Sequence, residues 1–551
     1  MSAPNIADSL VLQAQRRPVS PALYVPKTRR PRRLADYACY SFRELNNICD
    51  QFAHALTDVG VQAGMRTVLM VKPGLEFFAL TFALFKIGAV PVFIDPGMGI
   101  RSLGRCLAEV EPSAFVGIAK AQLARILFGW AKKSLRLVVT VGRRWGWGGF
   151  SLASLCRRHN RCCPFPSFRP DDETPAAILF TSGSTGPPKG AVYTHPIFVA
   201  QVELLKQTFQ IAEGEIDVTT FPLFALFAPA LGMTGVVPVM DATRPGRVDP
   251  RNIITPIQVF GANNLFGSPA LLRRVGEFGV RHHIRLPTLK RVLSAGAPVP
   301  VEVLETFQQL LADRVPIFTP YGATEALPVC VISSNEVLNE TRYGTEKGAG
   351  TCVGKPISAN RVGVIRIDDG PIACWSDELL QPAGEIGEIV VQGPIVSRHY
   401  FGQPEAETLA KIPDPASGSF YHRMGDVGYF DNQGRLWFCG RKSQRVITEN
   451  GVLFTAACEG IFNTHPQVRR SALVGIGQRF AQKPVLCVEP EKSGWRHLEQ
   501  LKRELLELAR RHPPADAIQE ICFFSEFPVD IRHNSKIFRE KLADLVQRRL
   551  T

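Results

Sequence analysis

No acidic residue stands between Ser113 and Pro170, although eleven lysines and arginines do. The formal charge of +14 over 551 residues is therefore unevenly placed. No recognition motif accompanies this basic segment, so we expect no nucleic-acid partner. A solvated basic face, or a docking surface for a membrane or a protein, is the expectation for 113–170. A disulfide framework is missing too. Thirteen cysteines, an odd number scattered from Cys39 to Cys522, and no export signal lead us to expect a reducing cytoplasm. The amino-terminal MSAPNIADSLVLQAQRRP reads as a capped amphipathic helix instead. CRRHNRCC (156–163) matches no familiar zinc spacing, and surface cysteines are expected there. One charge-free run, Val218 to Met240, is long enough to span a bilayer. Pro222, Pro229 and Pro238, with Gly232 and Gly235, would break a helix repeatedly, so a broken, buried segment lining an apolar pocket is expected. Internal repeats and long low-complexity linkers are absent.

What is present reads as a globular α/β protein. Hydrophobic residues make up 45% and charged ones 21%, and 551 residues exceed one ordinary core, so two or more domains are expected. Arg66–Val71 is strand-like, Leu75–Ile87 is an almost wholly apolar helix, and Val90–Ile94 is strand-like again. That is a βαβ unit with parallel strands and a buried helix.

The chemistry concentrates in ILFTSGSTGPPKGAVYTH (178–195). An apolar strand at Ala176–Phe180 leads into Thr181, Ser182, Gly183, Ser184, Thr185 and Gly186, then Pro187, Pro188, Lys189 and Gly190, before a second strand at Ala191–Thr194. Glycines let backbone N–H groups approach phosphate oxygens, hydroxyls donate to them, and one lysine adds fixed charge. The run is not a Walker A loop, because no Ser or Thr follows Lys189 to hold magnesium.

These residues resemble the signature loop of the adenylate-forming superfamily, which contains acyl-CoA synthetases, peptide-synthetase adenylation domains and luciferases. Within it, FPLFALFAPALGM (221–233), MDATRPGRVDP (240–250) and NLFGSPALL (264–272) resemble the β-lactone synthetases of the bacterial long-chain olefin pathway. The resemblance implies a large amino-terminal domain, 1–440, of mixed, mainly parallel sheets with helices. A small α+β lid domain, 441–551, would carry a catalytic lysine. It also implies ATP and Mg²⁺. Gly296, Ala297 and Pro298 would lie along adenine. In YGATE (321–325), Tyr321 would stack on the base beside Gly322, Thr324 would bond the α-phosphate, and Glu325 would hold the metal. Asp426 of YHRMGD (421–426) would bind the ribose hydroxyls and Arg441 the ribose or phosphate. Phe221, Phe224, Phe227 and Met233 would line the acyl pocket. Lys536 stands where the family has its catalytic lysine, with Thr185, Lys189 and Glu325 assisting.

Three positions depart from the pattern. Met424 replaces a Thr or Ser, Ser535 replaces the glycine before the lysine, and the glycine after the hinge falls one residue late, at Gly451. The hinge itself is left at Lys442 or Ser443. His195, after Thr194, is expected either to position neighbours or to act in catalysis.

The activity implied is adenylation of a long-chain 2-alkyl-3-hydroxy acid, followed by attack of its own hydroxyl to close a β-lactone. A long-chain fatty acyl-CoA or acyl-carrier ligase is the alternative, and a non-catalytic acyl-binding subunit a further one. A thiolase, a reductase and a β-lactone decarboxylase are the partners implied by that pathway.

Overall fold

The computed structural model describes residues 3–158, 163–180, 188–221, 226–529 and 537–550. Its first sheet grows from the expected βαβ unit. Strands Arg66–Met70 and Val90–Phe93 pair in parallel, Arg66 opposite Val90, and helix Leu75–Ile87 joins them. From Phe77 onward every residue of that helix is buried, which explains why it lacks a polar stripe. Gly88, at φ +79, ends it in the left-handed conformation that a side chain resists. Seven strands result, ordered from Phe150–Ser151 through Leu137–Val141, Ala114–Ile118, Arg66–Met70, Val90–Phe93 and Pro175–Phe180 to Gly190–Thr194. All neighbours are parallel except the last pair, where Phe180 faces Gly190 across an antiparallel hairpin. The Gly- and hydroxyl-rich loop connects these two strands, but Thr181, Ser182, Gly183, Ser184, Thr185 and Gly186 lie outside the described residues.

A second sheet of fourteen strands is parallel at its centre and antiparallel toward Arg361–Ile365 and Tyr37–Ser41. Val218–Met240 breaks as its prolines and glycines require, into the end of strand Ile216–Thr219, a short helix Phe227–Ala230 and strand Thr234–Val236. Among the described residues no helix is long and apolar enough to cross a membrane.

Strand Leu436–Arg441 still belongs to the second sheet, with Arg441 opposite Asp426. Beyond it, strands Val468–Ile476, Lys483–Pro490 and Glu520–Phe523 form a separate sheet. Its period-two alternation splits the apolar residues between two cores. Leu473 and Leu486 face Ile461, Phe462 and Leu501, whereas Val474 and Val485 face Phe524, Leu542 and Val546. Lys536 lies outside the described residues.

Within the basic segment 113–170 a helix runs over Ala119–Leu127. Gly129, at φ +63, turns the chain, and Trp130 is buried instead of continuing the helix.

Candidate active site

Hydrogen bonding to the backbone ties together three distant segments at the site. Val192 N donates to His399 O at 3.0 Å and Phe401 N to Gly190 O at 2.8 Å, laying 399–401 along the hairpin's second strand. Ser397 N donates to Glu325 O at 2.8 Å, and the Tyr193 hydroxyl donates to Thr324 O. The turn holding Thr324 and Glu325 is thereby tied to both. Gly322 is required there, since a Cβ would come within 2.4 Å of Ala326 O.

Glu325 Oε1 accepts a 2.8 Å hydrogen bond from the Tyr400 hydroxyl. Burial first, then the Glu325 charge, raise the Tyr400 phenol, so it stays a donor. Lys189 Nζ sits 4.9 Å from the Tyr400 ring centre, and Lys411 Nζ 5.8 Å from it. Lys411 donates to Ser397 O; burial brings its ammonium down to about 7, against the pull of Glu325 and Glu407. Opposite it in register, on strand Ser419–Phe430, lies His422. Burial, then the Lys411 charge, hold this imidazole well below its usual range, and its Nδ1 has no hydrogen-bond partner. Sequence reasoning missed both residues. Their pairing across strands Lys411–Asp414 and Ser419–Phe430 leaves no motif, and a basic residue amid Leu409, Ala410 and Ile412 was the available signal.

Around the second carboxylate, the Tyr321 hydroxyl donates to Asp426 Oδ2 at 2.7 Å. Arg441 Nη1 stands 2.9 Å from Oδ1 as an ion pair, and among the described residues no well-aligned hydrogen bond reaches that buried oxygen. Gly425, at φ +65, lies in the register shift of strand Ser419–Phe430 just before Asp426. Burial raises the Asp426 carboxyl above its usual range, and Arg441 and then Tyr321 oppose that rise without cancelling it. Met424 is 5% exposed and packs with Val329, Ile389 and Leu436, so its side chain serves that core. Lys442 is committed to Glu388 at 3.0 Å and to Asp368 O at 2.9 Å.

A cavity of about 1600 Å³ joins these groups to an aromatic region. Lys189, Gly296, Thr324, Glu325, Tyr400, His422 and Arg441 contribute to its polar wall. Phe85, Phe198, Phe221, Phe227 and Phe266 contribute to the aromatic one, with Phe198 linking Phe85 at 5.6 Å and Phe227 at 6.3 Å between ring centres. Phe224 lies outside the described residues. Tyr321, Asp426, Ala297 and Pro298 adjoin lining residues without lining the cavity themselves. Met233 is a correction: the left-handed Gly232 turns it into the core, where it borders a separate void of about 10 Å³ with Asp217 and Asn264. His195 is 1% exposed, its Nδ1 accepting from Ile6 N at 3.3 Å. Burial lowers that imidazole to about 4, so it stays neutral.

The arrangement suits a nucleotide acid. A buried acceptor beside an arginine fits ribose hydroxyls, and an oxygen ligand at Glu325 fits a hard cation on phosphate. Groups of His, Cys, Asp and Glu able to hold a metal by themselves are absent among the described residues, so such an ion would rely on substrate oxygens as well.

Comparison with known proteins agrees with this geometry. The family described as AMP-binding enzyme matches residues 10–401. An olefin β-lactone synthetase of Stenotrophomonas maltophilia (strain K279a) is 50% identical over 98% of this chain and 97% of its own. One from Xanthomonas campestris pv. campestris is 48% identical over the same shares. Among solved structures, the amide bond synthetase of Marinactinospora thermotolerans superposes with a TM-score of 0.79 at 20% identity, over 98% of this chain and 100% of that one. Identity near one half along 98% of the chain and a family match over residues 10–401, which hold most of the cavity lining, lead to one conclusion: the chain belongs to the AMP-binding enzyme family.

Proposed function

We propose that the protein couples a long-chain 2-alkyl-3-hydroxy acid to AMP at the expense of ATP, then closes the acyl adenylate to a β-lactone. The observation that carries this reading is 50% identity with an olefin β-lactone synthetase along 98% of the chain. The cavity supports it, because a polar wall for a nucleotide and an aromatic wall for alkyl chains share one space.

A carboxylate is a poor electrophile, and joining it to AMP makes its carbon open to attack. The substrate oxygen attacks the α-phosphorus, and the bond to pyrophosphate breaks. Asp426 and Arg441 hold the ribose. Lys189, with Thr181, Ser182, Ser184 and Thr185, holds the β- and γ-phosphates. Glu325 would hold Mg²⁺, whose charge offsets that of the phosphate oxygens when bound. The Tyr400 hydroxyl fixes the Glu325 carboxylate in place. Lys536 neutralises charge building between carboxylate and α-phosphate. In the second step the 3-hydroxyl oxygen bonds to the acyl carbon, the carbon–oxygen bond to AMP breaks, and the hydroxyl proton is lost. Nucleophile and electrophile belong to one molecule, so no second substrate need be captured.

The test is to incubate the protein with ATP and a 3-hydroxy acid, with and without CoA, and to identify the acyl product. A β-lactone with one AMP per ring, formed equally in both, is expected. An acyl thioester formed only with CoA would replace this reading with a ligase. No acid-dependent AMP at all would leave a binding protein.

A further inference from the structure

Helix Ala119–Leu127 has two uses for its nine residues. Gln122 anchors it, donating to Val139 O at 3.1 Å, and Ala121 and Ala124 wall the large cavity. The opposite side is exposed and apolar. Leu123 and Leu127 are 43% and 69% exposed, Ile126 lies beside them, and Phe128 follows at 49%. Phe128 is not loose, for it stacks at 5.6 Å on Trp130, which is buried and itself lines the cavity.

A second element starts beside this helix. Ile118 and Val141 are register partners in parallel strands, so the helix and the loop 142–149 leave the sheet at the same end. That loop carries Trp145, 55% exposed, and Phe150 follows it at 38%. Trp147 fastens it, its Nε1 donating to Thr140 Oγ1 at 3.0 Å. Lys120, Lys132, Lys133, Arg136, Arg143 and Arg144 are exposed on the same stretch, and no Asp or Glu occurs from 113 to 170 to offset them. Single exposed leucines are ordinary, but six large apolar side chains among uncompensated cations are not. Apolar anchors with a basic surround match an anionic bilayer surface in both polarity and charge. A folded protein partner would be expected to meet some acidic residue here, and none is offered.

We propose that the outer face of helix Ala119–Leu127 and the loop 142–149 dock on an anionic lipid surface, and that long-chain acid enters the cavity from that surface. Its alkyl chains would pass from the leaflet to apolar walls only one helix thickness away. The delivery half of this rests on the long-chain substrate reading above; the docking half does not.

The test is co-sedimentation of the full chain with vesicles of phosphatidylcholine, with and without phosphatidylglycerol. Binding to the anionic vesicles, weakened by high salt, is expected. Lys132→Glu, Lys133→Glu, Arg143→Glu and Arg144→Glu together should weaken partition about tenfold or more. Leu127→Gln with Trp145→Gln should do the same without altering the charge. Both variants should keep wild-type turnover of a short, water-soluble 3-hydroxy acid, which reports folding and the proposed chemistry separately. Long-chain acid supplied in vesicles should then be turned over about tenfold more slowly by either variant. Equal partition onto both vesicle types, binding to neither, or variants that partition like wild type would overturn the docking proposal. Docking without vesicle-dependent turnover would overturn the delivery half.

Discussion

The polar and aromatic walls of the cavity each stand near an almost fully buried aspartate whose carboxyl burial raises, but only one of the two gives it partners that oppose the rise. Asp426, 3% exposed, has Arg441 and the Tyr321 hydroxyl against it and, among the described residues, one oxygen that no well-aligned hydrogen bond reaches. Asp217, 4% exposed, lies behind the helix that carries Phe227, next to a void of about 10 Å³. Burial alone pushes its carboxyl up to about 7. A buried charge is costly unless paired, so it persists where a cation and a ligand can use it and is otherwise suppressed. The polar wall is thus a prepared anion- and hydroxyl-binding surface. The aromatic wall asks only for exclusion of water.

The strongest way to break this contrast is to remove the proposed charge on the reacting centre while leaving the wall alone. Lys536→Ala should cut adenylation by about 10²–10³-fold, read as acid-dependent pyrophosphate exchange, with ATP binding by calorimetry nearly unchanged. Normal exchange in this variant would remove the lysine from the mechanism. Next, Asp426→Asn keeps the shape and removes the charge. Arg441 loses its partner and the ribose one strong acceptor, so kcat/KM for ATP should fall about 10–100-fold. An unaltered value would mean that the nucleotide binds elsewhere.

Lys411→Met sharpens the comparison from the other side. It deletes a buried cation that faces Glu325 across Tyr400 and leaves a side chain of similar length. Adenylation should drop about tenfold, with KM for the acid unmoved. On the aromatic wall, Phe227→Trp should raise KM for long-chain acids about five- to tenfold by overfilling the space, while leaving KM for ATP alone. If both constants rise together, the walls are not separate in function.

How much of this was legible differs between the same two walls. Asp426, Arg441, Thr324 and Glu325 sit in contiguous strings that match the family's motifs, so the resemblance assigns each a role before any fold is known. Lys411 and His422 could not, because their meeting depends on an antiparallel register between residues eleven apart. Tyr321 was given a base to stack on, yet its hydroxyl is the feature that the fold uses, holding Asp426. The resemblance puts Met233 on the acyl wall together with the phenylalanines before it. Periodicity could not anticipate that Gly232 reverses the chain there. The buried helix Leu75–Ile87 was readable for the opposite reason, since a run apolar on all sides has only an interior to occupy.

The smallest effect expected concerns the suppressed carboxylate. With its folded value raised from 3.8 to about 7, Asp217 holds a proton in the native state that the unfolded chain releases. Below the unfolded value both states are protonated, and the native state suffers no penalty. As pH rises past 3.8 the unfolded state gains, and stability falls until pH about 7, above which the loss is constant. Asp217→Asn replaces the carboxyl with a neutral group of nearly the same size and should remove this dependence. At pH 8 the variant should be more stable by about 1–2 kcal/mol, allowing for partial relaxation around the ionised form. In a chain this long that is a rise in Tm of about 1–3 °C. Near pH 4 the two proteins should melt together, and turnover of the acid should be the same in both. A variant less stable than wild type at pH 8 would mean that the carboxylate is ionised and held by a partner after all, and the contrast between the two walls would fail at its quieter end.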